Sequence, residues 1–363
     1  MKAQSVSWIR VLAFAGAFIA FLIGSGFATG QEVLQYFTSY GYWGVAGTLV
    51  IMILLMYVGV SFITTGYEKK FPKPSEIFHY YCGKRLGAFF DYFAILFIYM
   101  SFIVMVAGAG ATVHQHYNLP TAAGGITLGV LTVITIIFGL SRILDIIGLI
   151  GPVIVVIAVV LGLSAIFQNP TGIDEGHQLL PHLELTRASN HWFLAALSYV
   201  GFCMLWLAAF MAAMGATAHS RKEAALGGAL GAVAFSLAVL VMALGLLANM
   251  QQVNGTQIPS LFLANNLHPF LATGFSIVIL AGIYTTAVPL LWMVVARFAE
   301  DKSHRFRILA ACLATIGVLI GLYIPFSKLV NIVYVVNGYV GILLLVMMLV
   351  HTVRFRVRQR GAA

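Results

Sequence analysis

Charge is what this chain has least of: Asp, Glu, Lys and Arg together make up 9% of its 363 residues, against 61% apolar residues. Globular domains carry about 25% charged residues, so too little is present to clothe a soluble surface. A long polar stretch is missing too. The widest interval between apolar runs, roughly 168 to 190, is too short for an independent core. Cysteine is scarce, and Cys82, Cys203 and Cys312 have neither a disulfide framework nor metal-ligand spacing. Every histidine falls in a loop or at the end of an apolar run, and neither a His-Glu-x-x-His pattern nor a pair of membrane aspartates occurs. The serine in Gly24-Ser25-Gly26 therefore lacks the basic partner that an intramembrane nucleophile needs. An enzyme is not expected, nor a resident cofactor or metal.

What is present is a succession of apolar runs of about 20 residues or more, the length that a bilayer core about 30 Å thick demands. Ten spans are expected, near 9–37, 42–66, 86–112, 121–140, 146–167, 191–217, 225–248, 269–298, 306–323 and 328–350. With the N-terminus inside, all of the 20 lysines and arginines except Arg187 and Lys328 fall on the cytoplasmic side. Both termini are then cytoplasmic, as expected of a multi-pass protein of a bacterial plasma membrane. The net charge of +9 follows from this topology and from anionic headgroups, not from nucleic acid. Lys2 and Arg10 before an apolar run resemble a signal peptide, but the run is too long, carries Gln31 and Glu32, and precedes nine more spans.

Three places interrupt the apolar pattern. In Ile23-Gly-Ser-Gly-Phe-Ala-Thr-Gly-Gln-Glu32, three glycines within seven residues favour an unwound backbone at the midpoint of the first span, since each costs about 1 kcal/mol in a helix. Lipid offers such a backbone no partners, so a polar occupant is expected. In the sixth span, Ser198, Gly201 and Cys203 lie among large apolar residues, where Gly201 marks either a second break or a close helix crossing. In the eighth, Gly282, Thr285 and Thr286 share a helical face, and Pro289 frees the Thr285 carbonyl. Those neutral hard oxygens suit a small monovalent cation, unless the threonines merely bond back to the preceding turn.

Taken together, Gly24-Ser-Gly-Phe-Ala-Thr-Gly-Gln31, the interruption in span six and Ala281-Gly-x-x-Thr-Thr286 resemble the amino-acid, polyamine and organocation superfamily with the LeuT fold, and within it the YkvI-type amino-acid permeases. The resemblance implies an all-α membrane protein of ten helices with helices 1 and 6 broken. It implies a first five-helix repeat at 9–167, an inverted second at 191–350, and a basic tail at 351–363. It also implies a sodium ion held by the carbonyls of Gly24 and Phe27 with Gly282, Thr285 and Thr286. A register starting at Ala281 would put Tyr284 where a short hydroxyl is needed, so the Gly282 register is preferred. Amides at Ser25, Gly26, Thr29 and Gly30 would bind a solute carboxylate, with Gln31 beside them or on a second ion. Carbonyls of Ser198, Tyr199 and Phe202, beside Gly201 and Cys203, would meet the ammonium. Tyr99 would lie over the solute, and Phe202 and Trp206 would gate the site or simply pack.

The expected activity is sodium-coupled symport of an amino acid or similar small zwitterion by alternating access, spans 1, 2, 6 and 7 rocking against 3 to 5 and 8 to 10. Proton coupling is the nearest alternative, disfavoured because residues 146–167 contain no Lys, Arg or His. A divalent-metal carrier fits less well, because Met204 is present but an Asp-Pro-Gly-Asn run is not. Polar groups near the bilayer middle alone argue against a channel. Glu32 lies about 12 Å beyond the break at 1.5 Å per residue. It reads preferentially as a rim carboxylate, or, if it faces inward, as a proton relay or the partner of a cation.

Overall fold

Three glycines in seven residues do not hold a straight helix, and the first span of a computed structural model, which describes residues 6–138, 143–301 and 303–360, is divided accordingly. Helix α1 (Trp8–Leu22) stops at Ile23 and Gly24, both extended, before α2 (Ser25–Thr29) and α3 (Gln31–Tyr36). Between the last two, Gly30 has φ 78°, a left-handed conformation costly to any residue with a Cβ. A 3₁₀ turn at Thr38–Tyr40 leads into α4 (Tyr42–Lys69), followed by α5 (Glu76–Tyr117), kinked at Gly83, and α6 (Thr121–Phe138). Then come α7 (Ile143–Gln168), α8 (Gly172–Leu179), α9 (Trp192–Ala216) and α10 (Arg221–Leu247). Short α11 (Met250–Val253) and α12 (Pro259–Leu267) precede α13 (Pro269–Phe298), α14 (His304–Tyr323) and α15 (Phe326–Arg360). Lys2, Arg142 and Lys302, counted among the cytoplasmic charges, lie outside the described residues.

Among those residues eight helices are long and apolar enough to cross a membrane. The first expected span is missing from that set because its break leaves α1 only 15 residues long. The fifth lies in α7, which from Pro152 forms with the helical turns after it a pair bent by 94°. The expected basic tail is no separate element: α15 continues through it to Arg360.

Helices α1, α4, α9 and α10 pack on one another, as do α5, α6, α13 and α14, while α15 contacts both α9 and α5. Polar pairs sort by the end of the bundle at which they lie. At one end Arg10 bonds Glu223 at 2.9 Å, Arg221 bonds Glu68 at 2.6 Å and Arg297 bonds Asp91 at 2.9 Å. At the other, Gln35 donates to the Ser327 carbonyl at 2.8 Å and Gln115 to that of Ile258 at 2.9 Å.

The expected break in the sixth span is corrected: α9 is an uninterrupted helix across Ser198–Cys203. Gly201 is there for proximity. A Cβ on it would meet the Gly338 carbonyl of α15 at 2.1 Å, and one on Gly341 would meet the Gly201 carbonyl at 2.0 Å. Two helices approach backbone to backbone, the small-residue crossing that membrane helices use where the hydrophobic effect gives them little drive to associate. Overpacking a site of this kind costs about 1–3 kcal/mol. Gly201→Ala is therefore expected to lower the thermal unfolding midpoint of the purified protein by several degrees. Gly274→Ala, with nothing within 4 Å of the added methyl, should leave it unchanged or raised.

Candidate functional site

The divided first span puts short backbone segments and several polar side chains into the middle of an otherwise apolar bundle. Where they meet, buried polar groups gather: Glu32 Oε2 on α3, Trp206 Nε1 on α9 and Asn337 Oδ1 on α15 lack partners among the described residues, while the hydroxyls of Ser25 and Tyr334, and those of Ser198 and Tyr36, lie close enough to pair with each other. Native interiors leave few such atoms and most have a reason, so a concentration around one break marks a place built for a polar visitor.

Glu32 is its centre. The rim position preferred from the sequence is corrected, for the side chain is 1% exposed. Across the left-handed residue Gly30 the Glu32 side chain reaches α2: Oε2 lies 2.4 Å from where a Cβ on Gly26 would be, with Tyr334 Cε2 at 2.9 Å from the same point. Its other oxygen accepts a hydrogen bond from the Tyr199 hydroxyl at 2.9 Å. A wall of rings encloses this carboxylate. Tyr36 packs edge-on against Tyr199 and Phe202, Phe202 stacks on Tyr334 at 4.8 Å, and Trp206 lies across both Phe202 and Tyr334 while stacking on Phe97 at 5.1 Å.

Of the residues expected at the site, Ser25, Gly26, Tyr199, Phe202, Cys203 and Trp206 are brought together here; Gly24 faces Met105, Trp206 and Tyr334. Thr29 bridges the turn: its hydroxyl donates to the Gly26 carbonyl at 3.1 Å and accepts from the Gln31 amide. Ser198 faces α15, close enough for a Cβ on Gly338 to meet its Oγ at 2.0 Å. Since α9 is unbroken, the carbonyls of Ser198, Tyr199 and Phe202 are engaged in its helical ladder.

Gln31 and Gly30 point elsewhere. Gln31 lines a separate cleft of about 70 Å³ with Ser39, Glu184, Gln257 and Ser327, and Gly30 abuts Ser260. Tyr99 stands apart as well, donating to the Leu313 carbonyl of α14 at 2.9 Å. On α5 it is Phe97, Met105 and Gly108 that face the break. The contribution of α15, through Tyr334 and Asn337, was not anticipated; Gly338 beside Asn337 gave no sign of it, and what marks the two residues is their burial at 0%.

The eighth-span oxygens lie close by. Helix α13 packs against α2, and Gly108 is where Ser25, Ile283 and Phe326 converge. Thr285 and Thr286 both donate to the Gly282 carbonyl, at 3.1 and 2.8 Å, and keep their lone pairs as acceptors. Tyr284 turns away to the Thr135 hydroxyl of α6 at 2.6 Å. The Gly24 carbonyl accepts from Ala28 and that of Phe27 from Gly30. Phe326 also lines a cavity of about 820 Å³ bounded by Ala107, Ala111, Gln115, Gln257 and Phe262, so one side chain separates that vestibule from the point where Ser25 sits.

The architecture is that of the LeuT fold. Over 95% of its length the chain superposes on 89% of MhsT, crystallised in complex with L-phenylalanine, with a TM-score of 0.55 at 15% identity. In sequence it resembles two proteins of Bacillus subtilis (strain 168): YyaD, 24% identical over 92% of this chain and 94% of that protein, and the membrane protein YkvI, 24% identical over 93% and 94%. No family model matches the chain.

Tyr199 supplies the one hydrogen bond that the Glu32 carboxyl group makes among the described residues, and leaving a buried acceptor unsatisfied costs about 1–3 kcal/mol. Tyr199→Phe is expected to lower the unfolding midpoint measurably, whereas Tyr99→Phe should leave ligand-induced stabilisation unchanged because its hydroxyl serves α14.

Proposed function

We propose that the chain is a secondary active transporter, a sodium-coupled symporter that carries an amino acid or similar small organic solute by alternating access. The observation that carries this reading is the cluster of buried polar groups from α2, α3, α9 and α15 around the broken first helix, Glu32 Oε2 and Asn337 Oδ1 without a partner among the described residues, enclosed by rings at the bundle centre. A discontinuous helix at a midplane site is how membrane carriers expose backbone groups to a solute without exposing them to lipid. The bound L-phenylalanine of MhsT supports an organic, amino-acid-like solute. A divalent-metal cargo gains no support, since among the described residues no group of three His, Cys, Asp or Glu could hold such an ion.

Sodium is assigned to the neutral oxygens between α2 and α13: the carbonyls of Gly24, Phe27 and Gly282 and the hydroxyls of Thr285 and Thr286. Bound there, the ion would tie the broken helix to α13 and so favour the conformation in which the solute site is complete. Ser25 and Gly26 with the α9 face bearing Tyr199, Phe202 and Trp206 form the solute site, and Phe202 and Trp206 close it. In proteoliposomes an inward sodium gradient should drive solute uptake, and Thr286→Ala should abolish the sodium dependence. Uptake in that variant with unchanged sodium dependence removes the ion assignment, and uptake driven by a proton gradient without sodium replaces it.

A further inference from the structure

Among the described residues two carboxylates are buried, and only one has a counter-charge. Glu223 pairs with Arg10 at 2.9 Å. Glu32 has no basic side chain in contact: its one bond comes from the neutral Tyr199 hydroxyl, and Oε2 has none. The groups around it are Ser25 and Gly26 of α2, Tyr36 of α3, Tyr199 and Cys203 of α9 and Tyr334 of α15, all uncharged at neutral pH. An ionised carboxylate is not kept unpaired in such a place. Where it does not hold a proton, its positive partner has to arrive from outside the chain.

We propose that Glu32 is a cation subsite and that the solute is recognised by an ammonium group, an adjacent carboxylate being dispensable. Three observations converge on this class. The rings of Tyr199, Phe202, Trp206 and Tyr334 would be indifferent to a bare proton, but aromatic walls attract an organic ammonium through their π faces. The backbone of α9, otherwise the acceptor for such a group, is committed to its own helix. And Glu32 Oε2 lies against Gly26, inside the segment where an anionic end would have to bind, so that a solute carboxylate meets a like charge there. The inference rests on the transporter reading only in taking the site to be reached by a solute.

The test is a charge series on the purified full-length protein with sodium present, read by isothermal titration and thermal shift. The probes are methylammonium, isobutylamine with L-valine and isovalerate, and 2-phenylethylamine with L-phenylalanine and 3-phenylpropionate. At least one amine is expected to bind within about threefold of its amino acid, with the matching acid at least tenfold weaker, and Glu32→Gln to weaken the amine at least tenfold. Binding by none of the amines, or by an acid as tightly as its amine, overturns the proposal. So does a monodisperse Glu32→Gln protein with wild-type amine affinity. Should that variant not fold, the wild-type series decides alone. In proteoliposomes, an amine that binds through Glu32 but is never accumulated under any gradient upholds the subsite while removing the transporter reading. Amino-acid accumulation that survives Glu32→Gln does the reverse.

Discussion

Lipid cannot hydrogen-bond a peptide group, and the rest of this structure follows from where the chain nevertheless breaks a helix. Opening the backbone at Ile23 and Gly24 obliges the surrounding helices to wall it off, and they do so with large side chains: Met105 and Phe97 from α5, Trp206 and Phe202 from α9, Tyr334 from α15. Ser260 completes the enclosure at the far end of α2 by donating to the Ala28 carbonyl at 2.7 Å. The two breaks differ in kind. The first is extended backbone, whereas the second, at Gly30, has positive φ, and across it the Glu32 side chain reaches Gly26. That contact makes a carboxylate expected at the interface a central one.

Large side chains in the centre need small ones where helices cross. Gly201, Gly338 and Gly341 let α9 and α15 touch along their backbones, and Gly66 and Gly215 do the same for α4 and α9, with added Cβ atoms meeting the Ala212 and Ile63 carbonyls at 2.1 and 1.9 Å. The close crossing of α9 and α15 brings Ser198 against Gly338 and holds the rings of Phe202 and Tyr334 parallel. A glycine that reads in sequence as a helix breaker thus builds the site from outside it, as a spacer.

This explains what was legible beforehand. The helical spans, the grouping of helix ends and the break at residues 23 to 30 depend on composition and on local backbone preference, both written along the chain. That Gly282, Thr285 and Thr286 share a face was legible because one helical turn fixes it, and the bonds the two threonines make run back to that turn. Three features were not. Whether Gly201 unwinds α9 or spaces it depends on what crosses there, and the partner glycines lie more than 130 residues away. The direction of Glu32 depends on a turn whose hand a glycine permits but does not announce. Tyr334 and Asn337 sit in an apolar helix of ordinary appearance, and Tyr99 differs from Phe97 only by the face of α5 on which it falls. In each case the deciding contact is between helices.

The same architecture bears on how such a site could open to one side at a time. The start of α1 is fastened at one end of the bundle by Arg10, which bonds Glu223 and His219 and also donates to the Thr217 carbonyl. At the other end, Gln35, just past the second break, is fastened to the start of α15 through the Ser327 carbonyl and Asn331, whose amide also reaches the Arg187 carbonyl. A continuous helix would couple those two anchorages, so that releasing one would strain the other. Two breaks between residues 22 and 31 uncouple them, because extended and left-handed residues rotate without tearing a hydrogen-bonded ladder. The anchorages differ in chemistry as well: a half-buried ion pair at one end and neutral amide bonds at the other, the charge-assisted bonds being the stronger kind. A ligand settling where Glu32, past the second break, meets Gly26, between the two, would touch both parts of the divided span and so bias one anchorage against the other.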